Sequence, residues 1–359
     1  MTRKRKIGLA LVLTLLLGGL LLLLLRPWLA ERAFERALDA NAGVDRSLAL
    51  GDGLHAYVCG SGSPMPDADR AGPCIAVLAG REAFVFDAGS GSIRKLQRMG
   101  FPMERLQAAF LTHLHSDHID GLGELLLQAW IAGGRDTPLP VYGPPGTEMV
   151  TEGFGLAYAP DRGYRVAHHG PKIARPDGYG GAAHLLALPA GADSAVAYER
   201  NGIRITVIRV NHAPISPAYG YRIDYKGRSI SLSGDTVYSP AFVVASARVD
   251  VMFHEALNKR MVGALGDMLA QRGRSDTAQI MRDIQNYHAS PEDAARAAKI
   301  AGAKTLVLYH LVPPVPARLI EPLFLGDAPS IYPGVQLAHD GMIVSLSAGS
   351  TTVEFSEGF

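Results

Sequence analysis

The sequence predicts a layered α/β domain behind a single N-terminal membrane-spanning helix. Three observations predict it: strand-like apolar runs alternating with helical stripes over residues 54–142, a turn rich in histidine and aspartate at 112–121, and an uncharged leucine-rich run at 7–25. The composition is compatible with this. A chain of 359 residues, 48% of them hydrophobic, can bury one large core or two modest ones. The formal net charge is only +1, from 35 basic against 34 acidic residues, so no global field recruits nucleic acid.

Arg3-Lys4-Arg5-Lys6 precede the apolar run, which at 1.5 Å per residue spans roughly 28 Å, close to the hydrocarbon thickness of a bilayer. The basic residues ahead of it place residues 1–6 in the cytoplasm and the rest of the chain outside. Arg26-Pro27-Trp28-Leu29-Ala30 makes a poor small-x-small cleavage site, which favours an uncleaved, single-pass signal anchor in the inner or plasma membrane. Residues 26–47 then read as a linker, with a short charged helix at 31–38 broken by Asn41-Ala42-Gly43.

Strands are predicted at 54–58 and 74–79, on either side of a loop rich in glycine and proline. Cys59 and Cys74 flank that loop; a disulfide and a pair of buried thiols are equally compatible with the sequence. A further strand at 84–86 ends in Asp87, whose carboxylate needs donors or a charge if it is buried. Ile93, Leu96 and Met99 mark a helix stopped by Gly100, and 108–112 delivers the turn Thr112-His113-Leu114-His115-Ser116-Asp117-His118. His113 and His115, two apart at a strand end, project to one side, while Asp117 and His118 can face a second point nearby. Imidazole and carboxylate in this pattern suit zinc, with manganese or iron as the alternatives. Asp120 is placed to cap the following helix, whose stripe of Leu122, Leu125, Leu126, Ala129 and Trp130 is core packing.

Periodicity fades over 143–202, where glycine, proline and alanine dominate and His168, His169 and His184 fall in no ligand spacing; an inserted lid or substrate-facing segment is expected there. Alternating strands return at 203–210 and 219–225, separated by His212. Ser233-Gly234-Asp235-Thr236 and His254-Glu255-Ala256-Leu257 each follow an apolar strand. His288-Ala289-Ser290 precedes a helix with Pro291 at its first position and Gly302 past its end, and the strand 304–309 presents His310.

Taken together these residues resemble the metallo-β-lactamase fold superfamily, whose HxHxDH motif is followed by a glycine. The resemblance covers residues 48–359 and implies an αββα sandwich of two mixed β-sheets flanked by helices. It also implies two divalent ions: His113, His115 and His212 hold one, Asp117, His118 and His310 the other, and Asp235 lies between them. Asp87 would support the metal loops from behind. The His254-Glu255-Ala256-Leu257 and His288-Ala289-Ser290 stretches resemble, with a leucine for threonine and an alanine for serine, the tRNase Z and arylsulfatase-like branch. There Glu255 would hold His288, which protonates the leaving group, and Asp117 would count among the catalytic residues as well as the ligands.

The expected activity is hydrolysis of phosphodiester or aryl sulfate esters by a metal-bridging hydroxide, on a small-molecule ester, with the catalytic domain periplasmic or extracellular. A tRNase Z-like endoribonuclease, a lactonase or β-lactamase-type carbonyl hydrolase, and a non-enzymatic metal-binding domain are the alternatives. Near-neutral charge and the absence of tRNA outside the cytoplasm weigh against a nucleic-acid partner. Monomer and homodimer are both left open.

Overall fold

The computed structural model describes residues 2–359, and the chain divides between Arg46 and Ser47 into two units. The first is dominated by α1 (Arg3–Asn41), a helix of 39 residues whose apolar window has a mean hydropathy of 2.8. It is long and apolar enough to cross a membrane. The separate short helix expected at 31–38 is the end of this same helix. It runs on through Pro27 and stops where Asn41 and Gly43, the latter at positive φ, were expected to break it.

The second unit begins with β1 (Gly53–Gly60), β2 (Cys74–Ala79), β3 (Glu82–Phe86), β4 (Leu106–Phe110), β5 (Leu139–Gly143) and β6 (Gly181–Leu185). It continues with β7 (Ser194–Arg200), β8 (Ile203–His212), β9 (Ile215–Tyr225), β10 (Arg228–Leu232), β11 (Val251–Leu257), β12 (Thr305–Val312) and β13 (Val335–Leu337). Finally β14 (Met342–Ser347) and β15 (Glu354–Glu357) return to the first sheet. Two mixed sheets result, ordered β15-β14-β1-β2-β3-β4-β5-β6 and β13-β12-β11-β10-β9-β8-β7.

Their inner faces share one core. Along β8 the residues Ile203, Ile205 and Val207 alternate inward and meet Phe84, Phe86 and Phe110 from the first sheet. The outer faces are covered by helices. On the first, α2 (Ser92–Arg98) and α4 (Leu122–Ile131) bring Ile93, Leu96, Leu122 and Leu125 onto the sheet; on the second, α7 (Pro240–Ala245) and α10 (Pro291–Ala301) cover Met252, Leu306 and Leu308. Helix on both outer faces explains why β10, β11 and β12 are buried along nearly their whole length rather than on one face alone. The predicted αββα sandwich is therefore the observed architecture.

Residues 143–202, expected as a lid, form α5 (Thr147–Ala157), α6 (Ala159–His169) and the strands β6 and β7. β6 adds to β5 at the edge of the first sheet and β7 to β8 at the edge of the second. These edge strands are half exposed and carry small residues, and α6 buries no side chain, so the hydrophobic pattern that betrays secondary structure is missing. Asp120 does not cap the helix behind the histidine turn. The turn is itself the short helix α3 (Ser116–Ile119), Asp120 ends it, and Gly121 is the N-cap of α4. A Cβ at Gly121 would stand 2.6 Å from the Gly89 carbonyl oxygen, so the glycine is required by the close approach of this corner to the end of β3.

A disulfide joins Cys59 to Cys74 at the base of the loop between β1 and β2. The same loop is gripped by the buried carboxylate of Asp340, which accepts from Ser61 N and Oγ at 2.8 and 2.7 Å, from Ala71 N at 2.6 Å and from Lys95 Nζ at 2.6 Å. Asp340→Ala, which strands these donors, should lower stability by about 3 kcal/mol, read as a fall in the thermal unfolding midpoint of the full-length chain.

Candidate metal centre

The candidate ligands come from strand ends and the segments that follow them, and these converge. His113 and His115 follow β4, Asp117 and His118 lie in α3, His212 ends β8, Asp235 follows β10, and His310 lies in β12. His310 is the extra residue of a bulge: Glu255 pairs with Tyr309 and Ala256 with Leu311, leaving it unpaired at a φ of 47°. That bulge turns its ring out of the sheet toward the cluster.

Two main groups form. His113, His115, His212 and Asp235 offer ligand atoms within 4.8 Å of one another, and so do Asp117, His118 and His310; a third set, Asp235, His288 and His310, overlaps both. Within the first, His113 Nε2 is 2.9 Å and His212 Nε2 3.4 Å from His115 Nδ1, and both Nε2 atoms are 3.9 Å from Asp235 Oδ2. Within the second, His118 Nε2 and His310 Nε2 lie 3.5 and 3.3 Å from Asp117 Oδ2. Asp235 joins the two, with Oδ1 3.4 Å from His118 Nε2 and Oδ2 3.4 Å from His310 Nε2. Ligands about 2.0–2.1 Å from one tetrahedral ion stand ~3.3 Å apart, so these spacings suit cations.

The electrostatics agree with that chemistry. Burial drives His113 well below the usual imidazole pKa and lowers His115 and His212, leaving neutral rings with lone pairs to donate. Burial raises Asp235 most strongly, yet His310 and His118 outweigh it and hold the carboxylate well below its ordinary range. Burial opposes a charge on His118, but Asp235, Asp117 and Asp87 push it well up. Three carboxylates thus demand positive charge at a ring whose Nε2, like Asp235 Oδ1, is buried without a hydrogen bond. A pair of divalent cations answers both demands, and the two groups are consistent with a dinuclear metal site.

Asp87 stands behind the cluster as expected. At a φ of 56° it turns back from β3 and accepts from Thr112 N, Thr112 Oγ1 and His118 Nδ1, each at 2.8 Å. Opposite, the single oxygen Oε1 of Glu255 accepts from His288 Nδ1 at 2.9 Å, Thr236 N at 3.0 Å and Ala289 N at 3.2 Å. His288 thereby presents Nε2 to the cavity, and its ring stacks 5.6 Å from that of His310. Ser290, directly after, caps α10 in a reciprocal capping box with Asp293. Burial opposes the charged form of His288, but Glu255 by charge and hydrogen bond, with Asp235 behind it, pushes the imidazole up to about 9.

Sequence reasoning missed several contributors. Thr112 Oγ1 bonds Asp87, and the Tyr287 carbonyl accepts from His212 Nδ1 at 2.9 Å. Position next to a candidate ligand was the available signal for Thr112; a backbone oxygen at Tyr287 leaves none. The cavity over the cluster, about 420 Å³, is walled by Pro64, Met65 and Pro66 and by Ile280, Ile284 and Tyr287. Among the described residues, none from 143–202 lines it. His168 and His169 end α6, and His184 stacks on Tyr142 at 4.7 Å, away from the cluster.

Two helix-flanked mixed sheets with this His and Asp constellation at their strand ends define a metal-dependent hydrolase of the metallo-β-lactamase fold. The comparisons agree. Residues 82–311 match the family described as Beta-lactamase superfamily domain. Ribonuclease Z of Mycobacterium bovis (strain BCG / Pasteur 1173P2) is 37% identical over 264 residues, 73% of this chain and 87% of that protein. The short form of human tRNase Z shares the fold with a TM-score of 0.57 at 21% identity, over 81% of this chain and 98% of that one. The metallo-β-lactamase fold protein YhfI from Bacillus subtilis does so with a TM-score of 0.56 at 23% identity, over 81% of this chain and 99% of that one. The chain belongs to the metallo-β-lactamase superfamily, among the relatives of ribonuclease Z.

Asp87→Ala should weaken metal binding by about 10–100-fold, as removal of a carboxylate behind a metal-facing histidine does. Competition with a chromogenic chelator measures it, and Asp87→Asn, which keeps an acceptor for Thr112 N, should lose less.

Proposed function

We propose that the protein is a phosphodiesterase anchored in a membrane by α1. In this reading His113, His115 and His212 hold one ion and Asp117, His118 and His310 the other, with Asp235 shared and zinc the metal that imidazole-rich sets favour. When bound, the ions supply Lewis-acid charge for a phosphoryl oxygen and lower the pKa of a shared water. The observation that carries the reading is the Glu255–His288 pair on the cavity floor beside Asp235, whose Oδ2 lies 3.9 Å from His288 Nδ1. A held imidazolium can protonate a departing oxygen, which matters most when the leaving group is a poor one such as an alkoxide. Water forms the new bond to phosphorus, the bond to the leaving oxygen breaks, that oxygen takes the His288 proton, and the proton released by water restores the imidazolium. Kinship with ribonuclease Z, an enzyme of phosphodiester bonds by name, weighs for phosphorus over sulfur.

The same kinship supports a second reading, endonucleolytic cleavage of RNA at a tRNase Z-like site. The 37% identity favours it; the near-neutral charge and the apolar N-terminal helix weigh for a small diester outside the cytoplasm. The buried Cys59–Cys74 disulfide fits an oxidising compartment of that kind.

The deciding experiment offers the full-length chain bis(p-nitrophenyl) phosphate, p-nitrophenyl sulfate and an RNA with a tRNA-like body and 3′ trailer, with metal analysis on the same sample. Turnover of the phosphate with close to two metals per chain is expected, and chelation should abolish it until zinc is restored. Sulfate turnover alone would move the reading to sulfur, and cleavage of the RNA alone to the endonuclease.

Two variants test the roles. Asp235→Ala should remove activity and metal together. His288→Ala should slow alkyl-leaving diesters about 10²–10⁴-fold and spare p-nitrophenyl ones; equal losses on both would overturn the acid role. Because His288 must be protonated to act, the rate on alkyl leaving groups should fall as pH rises, with a midpoint at or below about 9, since bound cations favour the neutral ring. The variant should lack that limb.

A further inference from the structure

The floor and the walls of the cavity differ in kind. The floor is polar: His115, Asp117, Asp235, His310 and His288 all reach it. The walls are not. On one side stand Met65 and Pro66 of the disulfide-closed loop that Asp340 grips; on the other stand Ile280, Ile284 and Tyr287, from the end of α9 (Ser275–Asp283) and the turn after it. Met65 and Ile284 pack against the same small apolar cluster of Leu257, Val262, Met281 and Val312, so the two walls share one hydrophobic foundation. Ile280 is 53% exposed at the rim, an apolar side chain with its surface turned to the opening.

Among the described residues, no lysine or arginine lines the cavity. This bears directly on what sits beside the scissile bond. A polynucleotide brings a further phosphate on either flank, and such phosphates are met by Arg, Lys, hydroxyl or backbone N–H donors. The walls offer none of the cations. A volume of about 420 Å³ is that of a small-molecule pocket, at the lower end of the roughly 300–1,000 Å³ such pockets span. With the phosphoryl group over the ions, what remains is apolar space for one compact arm.

We infer that the substrate is a phosphodiester whose second arm is uncharged, apolar and about the size of an aromatic ring, seated between Met65 and the Ile280, Ile284 and Tyr287 wall. This rests on the phosphodiesterase reading and narrows it: the polar floor does the chemistry on any diester, and the apolar walls choose the arm.

The test keeps the leaving group constant and varies the arm. Methyl, benzyl and thymidine-5′ p-nitrophenyl phosphates all release p-nitrophenolate, so rate differences report the arm alone. With the full-length chain in detergent, kcat/KM for the benzyl diester should exceed that for the methyl one about 10–100-fold, mostly through KM. Ile280→Lys, at an exposed position, and Ile284→Ser should each bring the preference to within about 3-fold. Partition of the benzyl compound into micelles is common to wild type and variants and cancels in that ratio. Benzyl and methyl diesters turned over within about 2-fold, a nucleoside arm preferred to the benzyl one, or a benzyl preference unmoved by both variants would overturn the inference and leave the phosphodiesterase reading standing. No turnover of any of the three by a chain holding two metals would overturn both.

Discussion

A carboxylate buried among imidazoles, Asp235, is the constraint on which the site depends. It is 3% exposed, and taking such a charge out of water costs several kcal/mol unless charge is returned to it. Here the returning groups come from both sheets: His113 and His118 from the segment after β4, His310 from the bulge in β12 and His212 from the end of β8. None of these rings is near Asp235 in sequence. The sandwich is what brings them there: β4 runs parallel to β5 in one sheet and β10, β11 and β12 run parallel in the other, and the ligands other than His212 sit at or beyond the C-terminal parts of these strands. Ligand sites gather at such ends in open α/β sheets for the same topological reason.

Holding the cluster falls to three other buried carboxylates, each of which gathers donors from separate segments. Asp87 ties the end of β3 to Thr112 and His118; Glu255 ties the end of β11 to Thr236 and to the His288 loop; Asp340 ties the β1–β2 loop to Lys95. A carboxylate suits this task because its two oxygens accept several charge-assisted bonds. The outcome is a polar floor beneath largely apolar walls.

Much of this was legible in the chain, and the failures have physical causes. The buried strands β1 to β4 and β8 to β12 announce themselves through apolar runs or alternation, because burial on one or both faces forces the pattern. Edge strands β6 and β7 and helix α6 bury too little to leave one. At Asp120 the capping rule failed because close packing of Gly121 on the end of β3 shifted the helix start by a residue. Between a Cys59–Cys74 disulfide and two buried thiols the sequence left the choice open, since it depends on how β1 and β2 stand side by side.

The sequence by itself determined the elements and the chemistry each can offer: the spacing HxHxDH, a histidine or carboxylate at the end of each of several strands, a capped helix after His288, and one apolar helix at the N-terminus. These are short-range properties, set by propensity, periodicity and side-chain type. Only the tertiary structure decided which atoms meet: that Glu255 Oε1 faces His288 rather than solvent, that a bulge aims His310 at Asp117, and that Met65 and Ile280, some two hundred residues apart, wall the same cavity. Such contacts are set by the packing of two sheets around a shared core, a long-range outcome that no local window contains.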